Sequence, residues 1–272
     1  MGDAPTIHEL GLMTSPEVEA ALPEIGCVVI PVGSCECHGP NIALASDAGQ
    51  ATAYGRLITQ RMHPLLALAP TLSYGLSEHH MHFAGSTTLS PQTFMNVCIE
   101  VATNFARHGI GRFFFMNGHG GNEAALRLVC DELYEGRGLR AGWATCGQLG
   151  ALEQAEKIYQ GFDVGHACEF ETSSAMYLCP ELVRESTLAR GDFVPSPVRH
   201  ARGLNSQIHY SYYWEERTRN AVLGDAPAAA SAEHGREITE RGLQMLSEFL
   251  EDFCALPVPA HSDRRLSDPS HE

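Results

Sequence analysis

Between residues 34 and 47 the chain reads SCECHGPNIALASD, which sets Glu36, His38 and Asp47 close together. Two carboxylates and an imidazole are donors suited to zinc, manganese or iron, whereas calcium asks for more oxygens. In an extended segment, side chains two residues apart point to the same side, so Glu36 and His38 converge on one point. Gly39-Pro40 turns the chain, and Asp47 can return to the same spot. Taken alone this is a weak signal for a metal, and a solvated turn whose histidine caps a neighbouring group is the favoured reading of the pattern by itself. NGHGGNE (117–123) places His119 among three glycines, where backbone can approach another object closely. Amides opening the next helix can hold an anion or oxyanion there; a plain strand-to-helix turn with an exposed His119 is the competing reading. GHACEFETS (165–173) supplies His166, Glu169 and Glu171. If this segment is helical, His166 and Glu169 share a face; if it is extended, Glu169 and Glu171 do. One of these carboxylates is then expected to cap or to pair within the core.

The elements that must position these groups alternate. GCVVIPVGS (26–34) reads as a buried strand, 48–62 as a helix, and 64–75 as a strand. A helix over 90–109 opens with Ser90-Pro91 and closes at Gly109. An aromatic strand leads into NGHGGN, followed by a helix over 122–138 and a strand over 140–147. Residues 181–220 read as a loop or flap, and 231–253 as an amphipathic helix with Ser231 as its N-cap. This predicts an α/β fold: a single domain over 1–260, with a mainly parallel β-sheet flanked by helices, and a polar tail over 261–272. The polar clusters follow predicted strands, at the carboxyl edge where open α/β sheets bind ligands.

Eighteen basic against thirty-three acidic residues give a net charge of −15, which argues against a nucleic-acid partner. No apolar run approaches the roughly 20 residues that span a bilayer. The first residues lack the basic and apolar regions of a secretory signal, and nine cysteines without a C-x-x-C spacing suit a reducing compartment. A cytoplasmic location is expected. Cys35, Cys37 and Cys168 are read as structural, and a cysteine nucleophile as a remote alternative.

In this order and at these separations, the three motifs, together with EHHMHFAGSTTLS, closely resemble the creatininase family over residues 24–180. The resemblance implies an α/β metal-dependent hydrolase with one or two divalent ions (Zn, Mn or Fe) per subunit. It also implies a homo-oligomer, up to a hexamer assembled from dimers. By motif, Glu36, His38, Asp47 and His119 match metal ligands, with Asp47 in the bridging position, and His166 matches the proton-transfer histidine. Creatininase carries a ligand Glu two residues after the histidine of the turn; here that position is Gly121. Glu169 is therefore expected to be the missing metal ligand and to join His166 in catalysis, with Glu171 in support. Asn41 stands where the family often has a histidine; with His80, Gly120 and Gly121 it is assigned to substrate binding. Gln207 and His209 would suit a hydroxyl-rich ligand, and Trp143 and Trp214 either a lid or a subunit interface. The implied reaction is attack of a metal-activated water on a carbonyl carbon of a small cyclic substrate, foremost a cyclic amide C–N bond. Ring opening of an oxidised cyclitol (a dehydro-inosose-type ketone) or deformylation is the alternative, and a non-catalytic scaffold the remote one.

Overall fold

Among the described residues five strands carry the fold: β1 (His8–Glu9), β2 (Cys27–Val32), β3 (Leu66–Leu68), β4 (Arg112–Asn117) and β5 (Arg140–Thr145). The computed structural model describes residues 7–149, 151–159, 165–195 and 210–259; Gln207, His209 and the tail 261–272 lie outside them. Every strand pair is parallel, in the order β1-β3-β2-β4-β5. β2 is buried along its whole length, as a β-branched run in the middle of a parallel sheet must be.

Alternation sorts the strand residues onto two faces. Val28, Ile30, Val32, Phe113 and Phe115 face one side, while Cys27, Val29, Phe114 and Met116 face the other. The helices are α1 (Ser15–Ala21), α2 (Ser46–Arg61), α3 (Pro91–Ala106), α4 (Glu123–Arg137), α5 (Ala151–Ile158), α6 (Glu169–Leu178), α7 (Ala226–Ala229) and α8 (Ala232–Ala255). α3 and α4 cover the first face through Phe94, Cys98, Leu126, Val129 and Leu133. α2 and α8 cover the second through Tyr54, Ile58, Leu243, Leu246 and Leu250. The result is a three-layer α/β domain. Truncating Phe115 to alanine would cost about 3–5 kcal/mol in such a core.

Local signals account for several ends. Ser90 accepts the Thr93 N–H at the start of α3, and Ser231 that of His234 at the start of α8. Gly138 closes α4 in the left-handed region at φ 63°. The expected strand over 64–75 shortens to Leu66–Leu68, and the chain then runs past Pro70, which lacks an N–H to donate. α1 and the two-residue edge strand β1 escape a reading by periodicity. The flap expected over 181–220 contains, among the described residues, three 3-10 turns at Pro180–Leu182, Glu185–Thr187 and Trp214–Glu216. No helix among the described residues is long and apolar enough to cross a membrane.

The order of connections sets the site. From β2 the chain passes through α2 to β3 on one flank, then through α3 to β4 on the other. The direction of winding therefore reverses between β2 and β4, which opens a crevice at their carboxyl ends.

Candidate metal centre

Beyond Val32 the chain stays extended, and Cys35 bridges to Thr87. The two-residue alternation turns Glu36 and His38 inward, at 1% and 0% exposure, and leaves Cys35 and Cys37 half-buried. Asp47 arrives in the first turn of α2, where the helix dipole favours a carboxylate. Two glycines let α2 begin so close to the sheet. A Cβ at Gly118 would strike the Asp47 carbonyl, and one at Gly33 the backbone of Ala48.

His119 leaves β4 in a turn tied by two asparagines. Asn117 Nδ2 donates to the His119 carbonyl at 2.6 Å, and Asn122 Nδ2 donates to Asn117 Oδ1 and the Gly33 carbonyl, both at 3.1 Å. Ser77 adds a short hydrogen bond to Glu36 Oε2 and lies 2.5 Å from the Ser34 hydroxyl. These supporting groups escaped the sequence reading. Asn117 and Asn122 sit inside a quoted motif, and only their partners show their task.

The third cluster redistributes the expected roles. Ala167 takes a left-handed conformation at φ 48°, and α6 then begins at Glu169. Glu171, in the first turn, accepts the Ala167 N–H on Oε2 at 2.6 Å and brings Oε1 within 3.1 Å of His38 Nε2. Glu169 points elsewhere: its Oε2 accepts the Asp225 N–H at 2.7 Å, so it ties this turn to the segment before α7. The two carboxylates lie about 200° apart around a helix, so only one can face His38. The expectation for Glu169 is corrected accordingly, and Glu171 is the carboxylate the fold brings to the cluster.

The donor atoms converge tightly. His38 Nε2 lies 3.0 Å from Asp47 Oδ1; His119 Nδ1 lies 3.2 Å from Glu36 Oε2 and 3.3 Å from Asp47 Oδ2. His166 Nδ1 lies 3.9 Å from both Glu36 Oε1 and Glu171 Oε2. Each ring is oriented by a backbone carbonyl on its far side: His38 Nδ1 by Glu36 at 3.2 Å, His119 Nε2 by Leu76 at 3.0 Å, His166 Nε2 by Cys37 at 2.7 Å. A far-side N–H leaves the inward nitrogen as the lone pair, the arrangement that metal-ligating histidines use. Asp47 Oδ2 is buried and, among the described residues, makes no well-formed hydrogen bond, with His119 Nδ1 facing it at 3.3 Å, and its two oxygens face different histidines. A buried anionic atom left in this state fits a cation.

Electrostatics agree. Burial works against ionisation of Glu36, but His119 overrides it and holds the carboxyl well below its ordinary range. Glu171 is likewise drawn down to about 2, burial being outweighed by His38. Burial opposes charge on His38 and His119, yet Asp47 and Glu171 raise the one and Glu36 and Asp47 the other. Burial and the neighbouring His38 lower His166.

A cavity of about 160 Å³ opens on these groups, lined also by His79, His80, Gly120, Gly121 and Trp214. Of the expected substrate contacts, His80, Gly120 and Gly121 border it. Asn41 does not: its amide donates to the Ala167 and Ala189 carbonyls and accepts the Ala189 N–H, which makes it a pin beneath the Ala167 turn. Gly121 has no room for a ligand side chain, since a Cβ there would meet His119 Nε2 and the Leu76 carbonyl. Trp214 is buried over His166 and His80, whereas Trp143 lies on β5 against the core. Burial pushes the Cys168 thiol up to about 12 and raises Cys37, far from a reactive thiolate.

A family model described as Creatininase, creatinine amidohydrolase, matches residues 11–250. The chain belongs to the creatininase family and is a metal-dependent hydrolase. A mycofactocin precursor peptide peptidase of Mycobacterium ulcerans is 34% identical over 247 residues, covering 86% of this chain and 87% of that protein. Creatinine amidohydrolase of Pseudomonas putida is 29% identical over 191 residues, 64% of this chain and 73% of that protein. A solved structure of creatininase with manganese shares the fold at a TM-score of 0.76 and 24% identity, covering 91% of this chain and 99% of the other.

Proposed function

We propose that the chain hydrolyses an amide C–N bond near the end of a peptide. In this reading Glu36, His38, Asp47, His119 and Glu171 hold two divalent cations of the zinc, manganese or iron type. The observation that carries it is Asp47, buried between two histidine–carboxylate groups with one oxygen toward each. Cations bound there supply a Lewis acid and a water of lowered pKa. His166, its Nε2 fixed on the Cys37 carbonyl and its pKa lowered, presents a neutral Nδ1 to the cavity edge. It accepts the proton of the attacking water and returns it to the departing nitrogen, as one group acting in turn as base and acid. Gly120 leaves the cavity wall open, since a Cβ there would meet nothing. A cavity of about 160 Å³ takes about one residue, which favours a bond close to a chain end. The peptidase relatives, matched at greater identity and coverage than the creatinine amidohydrolase, support a peptide.

A small cyclic amide is the second reading, favoured by the small cavity roofed by Trp214. We further propose a cytoplasmic homo-oligomer, up to a hexamer, whose mass light scattering would give. The test of function is incubation of metal-loaded protein in ¹⁸O-water with a short-peptide panel and with creatinine. The expected result is a new amine and one ¹⁸O in the new carboxylate, abolished by a chelator and restored by metal. With a polyhydroxy cyclic ketone added to the panel, ring opening of that ketone with no amine release from any amide would overturn the amide reading.

A further inference from the structure

Two polar atoms in residues that line this cavity, Trp214 Nε1 and His80 Nδ1, have no hydrogen-bond partner among the described residues. They are buried, in residues 4% and 0% exposed, and the nearest polar group to His80 Nε2 that forms an ion pair is Glu36. Both residues line the cavity, and their rings lie 5.2 Å apart at 45°. The ligand set and the proton transfer proposed above use neither, although His80 also stands with Glu36 and His166 in a group whose donor atoms lie within 4.8 Å of one another. Two neighbouring residues left unsatisfied beside an open cavity are what remains of a site whose ligand brings the partners.

The chemistry of the partners can be read. Indole Nε1 only donates, so it requires an acceptor oxygen. His80 Nε2 is the nitrogen nearer Glu36, 3.4 Å from Oε1 of a group that accepts only. Its proton therefore belongs on that side, which leaves Nδ1 as an acceptor. The wall thus offers one donor and one acceptor side by side. An extended peptide residue presents its own C=O and N–H on one edge, as in a strand.

We infer that Trp214 and His80 bind the C=O and N–H edge of a single substrate residue next to the scissile bond. This rests on the peptide reading above and adds which atoms of the peptide are held. It also assigns Trp214 a polar contact in addition to its stack on His166, whose centroids are 5.1 Å apart at 27°.

The experiment uses zinc-loaded protein and two probes: N-acetylglycine N-methylamide, and the sarcosine analogue in which a methyl replaces the glycine N–H. The readout is the ¹⁵N–¹H resonance of the Trp214 indole, assigned by its loss in Trp214→Phe. The glycine probe is expected to move that resonance saturably and to bind about 5–10-fold tighter than the sarcosine probe, the effect of one hydrogen bond. In His80→Ala the two probes should bind equally. Equal binding to the unmutated protein would remove His80 from the recognition edge and overturn the pair. No shift with either probe would mean that water alone satisfies these atoms and would overturn the inference outright. Chelator-sensitive amide hydrolysis, measured separately, would survive that result, so the two failures are distinguishable.

Discussion

The cluster is built from two halves that are anchored differently. Glu36, His38, Asp47 and His119 leave the ends of β2 and β4 or the first turn of α2, all packed on the central sheet. His166 and Glu171 hang from a short turn through Ala167, held by Asn41 and by an isolated bridge between His166 and Leu223. The first half is a consequence of the sheet. The second reaches the cluster through the Ala167 turn, fastened by hydrogen bonds from distant segments and by the packing of α6, and substitutions in that turn can be absorbed or lost separately.

The largest expected effect lies in the sheet-borne half. Glu36→Gln keeps the shape but removes the charge shared with His119 and His80. Metal analysis should show near-complete loss of bound ion, with turnover down at least about 1,000-fold. Full metal occupancy in this variant would refute its place among the ligands.

The comparison sharpens with Glu171→Gln against Glu169→Gln. The first should drop bound metal by about one ion per chain and turnover by about 100-fold. The second should keep both within about twofold and lower stability by about 1 kcal/mol, through the weakened bond to the Asp225 N–H. The reverse outcome would return Glu169 to the site.

That pair of variants marks where the sequence stopped being legible. Glu36 and His38 were readable because strand periodicity continues past Val32, and the α/β alternation placed the motifs at the sheet's carboxyl edge. The choice between Glu169 and Glu171 depended on where a helix starts. That start is set by a left-handed turn at Ala167, a residue type that gives no such warning. Asn41 looked like a substrate contact because its motif surrounds it with candidate metal ligands; its partners, Ala167 and Ala189, lie 126 and 148 residues away. Trp214 could not be placed by any local pattern, since its neighbours His80 and His166 come from two other loops.

A smaller effect belongs to His166. His166→Gln should retain bound metal, because Glu36, His38, Asp47, His119 and Glu171 remain, while turnover falls by about 10²–10⁴. In the unmutated protein the rate should fall on the acid side as His166 takes up a proton below the ordinary histidine range; the variant should lack that limb. Loss of metal together with turnover would make His166 a ligand instead.

The smallest effect needs no substrate. In chelated protein Glu171 has a folded pKa of about 2 against an ordinary 4.5. A depressed carboxylate contributes stability that is complete above its unfolded value and is lost as pH falls through the folded one, so melting temperature should drop between about pH 4.5 and 2. The contribution is on the order of 3 kcal/mol at most, reduced by the partial exposure of the side chain. His38 and His119 have raised values and act in the opposite sense: their contribution is present below the unfolded histidine value and fades as pH rises through the folded one. Chelated protein should therefore lose stability toward alkaline pH as well. Cations replace the protons on those two rings, so loading should remove the alkaline decline and make the acid loss steeper as ions are released. If Glu171→Gln leaves the acid limb of the chelated protein unchanged, its carboxylate does not pair with His38. The Ala167 turn would then be held by its backbone contacts and by the packing of α6.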